Sequence, residues 1–422
     1  MFAFLFVIAI EMHHHSRWLV ADGAISQELV ADPHRWIAQR EAFIRAHAVK
    51  GSRLPVVYRL DEDFVVAAKT HQSIEVVDDC NGKLCGVATD ELVEDWDEAD
   101  LRALGVAAPK RDPVRRLVAT GGTPAIRGAT VSVVNRIERH LIANDSKRVF
   151  SDLKAMGFNT VSLIPFAGIR DDQVIPFNRH PAGETDLSMR LAAARAHALG
   201  MQVMLKPHVW PHGGDATKYV PPSWETFFAS YERYVLHEAG LAERMGAEWF
   251  CIGTELSRSE GRPEWRSLIA KVRAVYRGRI TYAANFDAFE KTPFWNELDA
   301  IGVDAYFPLS PNEGATDGEL RAGARAAVER MQRVSRAAHR SVILTELGYP
   351  STAASWIEPW AEHRERMADA SAQTRCFSAM LSALRGSTGI SGFIIWKYES
   401  DPAYTDEKGY LPKARRLLQI TP

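Results

Sequence analysis

One unit recurs along most of the chain: a helical run ends at a glycine and is followed, within a few residues, by an apolar β-prone run. Gly157, Gly200 and Gly246 each mark such a junction. Glycine readily adopts the left-handed conformation that ends a helix, and strands that are apolar on both faces are typical of a parallel sheet. The repeat therefore predicts helices that alternate with parallel strands.

Eight apolar runs follow this pattern, at residues 128–133, 160–165, 202–207, 248–253, 279–285, 300–304, 342–345 and 392–396. Eight βα units in about 300 residues predict an α/β fold, a closed (β/α)8 TIM barrel. A doubly wound open sheet is the alternative. Neither a G-x-G-x-x-G nor a G-x-x-x-x-G-K-[ST] phosphate loop occurs, which weakens the alternative and the nucleotide-dependent enzymes that use it.

The composition of the chain changes at about residue 120. We expect residues 1–120 to form an N-terminal α+β accessory region of unknown role, and residues 121–422 to form the barrel. The segment 74–87 predicts a hairpin around Asn81-Gly82, because Asn-Gly is a strong turn signal. Cys80 and Cys85 flank that turn, and they are either a disulfide or two free thiols.

Composition excludes several classes of partner. The 51 Lys and Arg residues nearly balance the 53 Asp and Glu residues, so net charge gives no case for nucleic-acid binding.

Met1–Ile10 is too short to span a bilayer, and it is either part of a signal segment or a buried strand. We favour a secreted or periplasmic location over a cytoplasmic one. The oligomeric state is left open.

Two glutamates follow apolar runs in positions that suit catalysis. In a TIM barrel, functional side chains lie at the carboxyl ends of the strands. Glu255 follows the fourth run and Glu346 lies at the end of the seventh, on opposite sides of the barrel mouth. A glycosidase needs one acid to protonate the leaving oxygen and one carboxylate to attack the sugar. A separation of roughly 5 Å, which these strands suggest, would give retention of configuration.

The other strand ends carry aromatic and polar side chains that fit a sugar. A few polar groups among aromatic rings are typical of a ligand pocket. The predicted substrate-binding residues are Lys206, His208, Trp210, Asn285, Asp304, Tyr306, Tyr349, Trp396 and Lys397. His208 and His212 suggest a metal pair, but no third ligand is evident, so we expect no metal and no cofactor.

Several of these motifs resemble those of glycoside hydrolase family 113. Gly253-Thr254-Glu255-Leu256 resembles the acid/base motif of the family, and Thr345-Glu346-Leu347-Gly348-Tyr349 resembles its nucleophile motif. Residues 282–287 and 301–308 are similar to its fifth and sixth strands. The resemblance extends over about residues 125–415, and the family contains endo-β-1,4-mannanases of clan A, the retaining barrel glycosidases.

This resemblance implies roles for four residues. Glu255 would be the general acid/base and Glu346 the nucleophile; Tyr306 would orient Glu346, and Trp396 would form the floor beneath the attacked sugar. In the wider clan the acid/base usually follows Asn, whereas here it follows Thr254, a change that family 113 shares.

The sequence therefore predicts a retaining glycoside hydrolase that cleaves β-linked hexopyranosides by double displacement. The favoured substrates are β-1,4-mannan and manno-oligosaccharides. One alternative is another β-glycosidase or a transglycosylase that acts on a bacterial polysaccharide. A second is a noncatalytic barrel that only binds carbohydrate.

Overall fold

The computed structural model describes residues 126–132, 146–170, 172–176, 186–211 and 214–412, together with the backbone of four earlier strands. The predictions for Met1–Ile10 and for the Cys80 and Cys85 side chains lie outside this part of the chain, as does His212.

The strands are β1 (Val56–Leu60), β2 (Phe64–Ala68), β3 (Ile74–Cys80), β4 (Lys83–Ala88), β5 (Ile126–Ser132), β6 (Thr160–Leu163), β7 (Phe166–Arg170), β8 (Gln173–Pro176), β9 (Gln202–Leu205), β10 (His208–Pro211), β11 (Trp249–Thr254), β12 (Arg279–Asn285), β13 (Ile301–Asp304), β14 (Val342–Leu347) and β15 (Ile390–Glu399). The α-helices within the described residues are α1 (Ser146–Ala155), α2 (Asp186–Ala198), α3 (Trp224–Arg244), α4 (Glu264–Val275), α5 (Asp317–Ala338) and α6 (Ala370–Leu384).

Eight of these strands close into one barrel. Their order is β11-β12-β13-β14-β15-β5-β6-β9, and every neighbouring pair is parallel. In chain order β5, β6, β9 and β11 to β15 are the first to eighth barrel strands, and they coincide with the eight apolar runs of the sequence. The predicted (β/α)8 barrel is confirmed.

The four earlier strands form two antiparallel pairs. β1 pairs with β2, and β3 pairs with β4 across Asn81-Gly82, which confirms the predicted hairpin. The division of the chain at residue 120 stays a prediction.

A small sheet that the sequence analysis did not predict extends from the barrel. Its order is β10-β7-β8; β7 follows the second barrel strand and β10 follows the third. The 160–165 and 202–207 runs therefore lead directly into further extended chain beyond the barrel mouth.

The core lies in two places. Most buried apolar side chains pack between the strands and the helices, whereas a smaller cluster, which includes Met204, Trp249 and Ile343, is separate from them. The buried polar side chains include those of Lys206, Asp304 and Glu346, each with at most 4% of its surface exposed. In the part of the chain that the structure describes, no helix combines the length and the apolar character that a membrane span needs.

Candidate active site

Glu346 is held through both of its carboxylate oxygens. Lys206 Nζ donates a hydrogen bond to Oε1, and Tyr306 Oη donates one of 2.5 Å to Oε2. Lys206 follows β9, Tyr306 follows β13 and Glu346 lies in β14, so three barrel strands fix this one side chain. Charge-assisted bonds of this kind hold a carboxylate ionised and in one orientation.

Asp304 completes the network around Lys206. Its Oδ2 lies 3.6 Å from Lys206 Nζ, and its Oδ1 accepts a hydrogen bond of 2.8 Å from Thr345 Oγ1. Lys206 and Asp304 were both expected to contact sugar hydroxyls. Both side chains are fully buried, and their contacts are with Glu346 and with each other. Their contact with sugar hydroxyls stays a prediction.

Glu255 projects from a distorted strand end. The β11–β12 register shifts between Cys251 and Thr254, and Glu255 has a φ of +54°. This left-handed conformation is uncommon for a residue with a side chain. The Thr254 hydroxyl donates 3.1 Å to the Pro207 carbonyl, and the Glu255 amide donates 2.8 Å to the Ala283 carbonyl. These bonds tie the strand end to both of its neighbours.

The electrostatics of the two glutamates differ. Burial, reinforced by the Asp304 and Glu346 carboxylates, raises the pKa of Glu255 well above its usual value. Burial and Glu346 raise the pKa of Asp304 to about 7. Burial alone would lower the pKa of Lys206, but Asp304 and Glu346 together raise it. The site thus contains a buried ammonium group, the Glu346 carboxyl bonded to it, and a second acid, Glu255, whose pKa is raised.

Trp396 and Tyr410 line the same region. The Lys206 ammonium lies 5.6 Å from the centroid of the half-buried Trp396 ring, and the peptide bond after Trp396 is cis. The Tyr410 ring contacts the Tyr306 ring at 5.9 Å, and its hydroxyl donates 2.7 Å to the Pro359 carbonyl.

Three other predicted residues lie at the mouth of the barrel. His208 stacks between Phe166 and Trp210, at ring distances of 5.8 Å and 5.2 Å, and burial and Lys206 lower its pKa to about 3. Trp210 is 42% exposed. Asn285 is nearly buried and bonds Asp287.

Lys397, which is half-buried, points toward Glu399 Oε1 at 3.0 Å and Ser132 Oγ at 3.4 Å. These contacts place its ammonium group beside the first barrel strand.

Tyr349 is another predicted substrate-binding residue. Its side chain is fully buried and packs edge-on against Phe377 of α6, with ring centroids 5.4 Å apart. The ring therefore lies in the core between the barrel and α6, and a contact of Tyr349 with sugar stays a prediction.

Sequence reasoning missed three residues that the structure brings to this region. Thr345 bonds Asp304, Phe166 stacks on His208, and Tyr410 packs on Tyr306. Phe166 directly follows the second predicted strand and could have been read as a strand-end residue. Tyr410 lies eleven residues beyond β15 and carries no comparable signal.

The described residues contain no group of three His, Cys, Asp or Glu side chains arranged to hold a metal ion. Both carboxylate oxygens of Glu346 accept hydrogen bonds, from Lys206 and Tyr306, whereas Asp304 accepts one from Thr345 through Oδ1 and faces the Lys206 ammonium at 3.6 Å through Oδ2.

Comparison with known proteins agrees with this geometry. The family model of Glycoside Hydrolase Family 113 matches residues 139–412, more than half of the chain. The chain belongs to glycoside hydrolase family 113. It is therefore a glycoside hydrolase, and the resemblance drawn from the strand-end motifs is confirmed.

Solved family 113 structures superpose over most of the barrel. The β-mannanase AaManA from Alicyclobacillus acidocaldarius is 26% identical, with a TM-score of 0.62, over 71% of this chain and 96% of that one. A family 113 β-1,4-mannanase solved as a complex is 21% identical, with a TM-score of 0.61, over 70% and 97%. A comparison with curated proteins gives no match.

Proposed function

We propose that this family 113 hydrolase cleaves β-1,4-mannan or manno-oligosaccharides with retention of configuration. Glu346 is the proposed nucleophile and Glu255 the proposed general acid/base. The observation that carries the proposal is the asymmetric environment of the two carboxyl groups. Lys206 bonds Glu346, whereas burial and nearby anions favour the protonated form of Glu255.

The proposed reaction has two steps. Glu346 attacks the anomeric carbon while Glu255 transfers its proton to the departing glycosidic oxygen. A covalent glycosyl–enzyme results. Glu255, now ionised, removes a proton from water, which attacks the same carbon and frees the sugar. Two carboxyl groups whose environments favour opposite protonation states are what this sequence of steps requires.

Two residues support the nucleophile in this scheme. When Glu346 becomes an ester, it loses its charge, and Lys206 then remains paired with Asp304 at 3.6 Å. Tyr306 holds the other oxygen of Glu346 and limits rotation of the carboxylate. Where Asp304 is ionised, the Lys206 ammonium therefore keeps a counter-charge in the buried site, and an unpaired buried charge would be costly.

The choice of mannan rests on the solved relatives. The family 113 structures that superpose on this chain are described as β-mannanases and β-1,4-mannanases. We extend that substrate class to this chain because the motifs around Glu255, Glu346, Tyr306 and Trp396 resemble those of the family and lie in or directly after barrel strands.

The first test measures hydrolysis by the purified protein of β-mannan, β-glucan, xylan and galactan, with product configuration followed by NMR. We expect mannan cleavage and an initial β-anomer. A preferred substrate other than mannan would overturn the substrate assignment, and an initial α-anomer would overturn retention.

A second test assigns the two glutamates. Glu255→Gln and Glu346→Gln should each lose about 10²–10⁴-fold or more in turnover with the fold retained. A 2-deoxy-2-fluoro glycosyl fluoride should add its sugar to the peptide that contains Glu346. Azide should restore the Glu255→Gln variant on substrates with good leaving groups. The exposed Glu329→Gln on α5 is the matched control. Full activity in either catalytic variant would refute the assignment.

A further inference from the structure

The small β10-β7-β8 sheet presents one open face beyond the barrel mouth. Exposure alternates along β7, where Phe166, Gly168 and Arg170 are accessible and the residues between them are buried. Side chains two residues apart lie on the same face of a strand. Phe166, Gly168 and Arg170 therefore define the open face.

A shallow trough crosses this face. Trp210 of β10 pairs in register with Gly168 of β7, which pairs in register with Ile175 of β8. Trp210 and Ile175 are each 42% exposed, and Gly168 between them has no side chain. Because neighbouring strands are about 4.8 Å apart, the walls of the trough stand roughly 10 Å from each other. We call this row of three residues the trough.

The trough begins next to the proposed catalytic pair. Trp210 lies four residues beyond Lys206, which bonds Glu346, so extended chain carries it about 13 Å outward. Pro207, between them, is bonded by Thr254, the residue before Glu255. A glycan bound at the two glutamates and extending toward the second and third barrel strands would meet the trough.

The chemistry of the face suits a sugar ring. One side of the Trp210 indole is covered by His208, so its other side and its edge are what remain exposed. The next row outward pairs Arg170 with Gln173, which supplies hydrogen-bond donors beside the apolar surface. A hexopyranose has an apolar C–H face and a polar rim, so it matches apolar walls with polar groups at their end.

We infer that the trough binds a hexopyranose unit of the glycan chain, remote from the bond that is cleaved, with Trp210 and Ile175 as its walls and Gly168 as its floor. The inference rests on the proposed function, because it assigns the same glycan to both places. It makes this sheet a determinant of substrate length.

Three variants alter the trough in different ways. Trp210→Ala and Ile175→Ala each remove a wall, whereas Gly168→Val fills the floor and leaves both walls in place. Val275→Ala is the matched control, because Val275 is 43% exposed and lies at the end of α4. Circular dichroism and melting temperature establish that each variant is folded.

The measurement is kcat/KM for oligosaccharides of increasing length, drawn from the polysaccharide that the unaltered protein cleaves. We expect the ratio of kcat/KM for the longest to the shortest substrate to fall about tenfold in Trp210→Ala and Gly168→Val, and less in Ile175→Ala, because the larger surface is lost with the indole. Calorimetry with the Glu346→Gln variant should show the same dependence of affinity on length when the trough changes are added.

Two outcomes would overturn the inference. One is that the trough variants change kcat/KM equally at every substrate length, or do not change it. The other is a trough variant that converts a dimer into a monomer by light scattering, which would make this face a contact between copies of the chain. A failure of the proposed function is distinguishable, since the unaltered protein would then cleave none of the β-glycans or would prefer one other than mannan.

Discussion

At the scale of single residues, Lys206 governs the charge of the site. It is fully buried, bonds Glu346 and faces Asp304. The titratable groups that interact with this network include Tyr306, Tyr410, Cys251, His208, Glu255 and Asp215. The Lys206 ammonium opposes the high pKa of Glu255.

Lys206→Met keeps the length of the side chain and removes the charge. We expect the alkaline limb of the pH profile of kcat/KM, which the proposed acid Glu255 sets, to move to higher pH by about one to two units, because the ammonium that lowers the pKa of Glu255 has been lost. Lys271→Met, which removes an exposed lysine from α4, is the control. An unshifted profile would contradict this role for Lys206.

Asp304→Asn should shift the pH profile in the opposite direction. The Asp304 carboxylate helps to raise the pKa of Glu255, so its removal should lower that pKa and move the alkaline limb to lower pH. The effect should be confined to pH values above about 7, because below its own pKa of about 7 the carboxyl of Asp304 is already neutral. A shift in the same direction as Lys206→Met would show that the two substitutions act through general disruption of the fold.

At the scale of elements, β11 depends on a glycine two residues before Glu255. A Cβ at Gly253 would lie 2.7 Å from Tyr231 Oη and 2.8 Å from Trp265 Cη2. Both rings are buried between β11 and the helices α3 and α4, so neither can move aside easily. The glycine therefore lets α3 and α4 pack closely on the strand that presents Glu255.

Gly253→Ala should lower the free energy of unfolding by about 1–3 kcal/mol, the usual result of overpacking a core. Gly261→Ala is the matched control, because nothing lies within 4 Å of a Cβ there. Denaturant unfolding followed by circular dichroism measures both. Equal stabilities for the two variants would refute the packing argument.

The sequence was most informative where the elements are regular. The barrel strands were predictable because helix-ending glycines and fully apolar runs are local signals, and Glu255 and Glu346 follow from their places at strand ends. The burial of Tyr349 against α6 could not be predicted, because a strand end gives no indication of which face a side chain takes after the regular pairing stops. The pairing of β7 with β10 was missed because it joins residues about forty positions apart.

At the scale of the whole molecule, the barrel closes within residues 126–399. β15 pairs with β5 along much of its length, so no barrel strand is left with an unpaired edge. Closure of this kind removes the open edges along which sheets associate. The barrel therefore contains the pairing that it needs without the strands β1 to β4.

We expect a fragment of residues 121–422 to fold cooperatively and to hydrolyse the same glycans as the full chain. A fragment of residues 134–422 lacks β5, opens the barrel and should not fold; it is the control. Thermal unfolding and activity measure both fragments. Aggregation of the longer fragment would show that residues before 121 are part of the folding unit.

The left-handed backbone at Glu255 has a consequence for engineering. Such a conformation costs a side chain of this kind about 1–3 kcal/mol, and glycine adopts it freely. Selection of this enzyme for heat tolerance alone would thus favour glycine at position 255, at the expense of its proposed proton donor. Directed evolution of more stable variants would have to measure turnover in every round, because the substitution that relieves the backbone at position 255 removes the proposed proton donor.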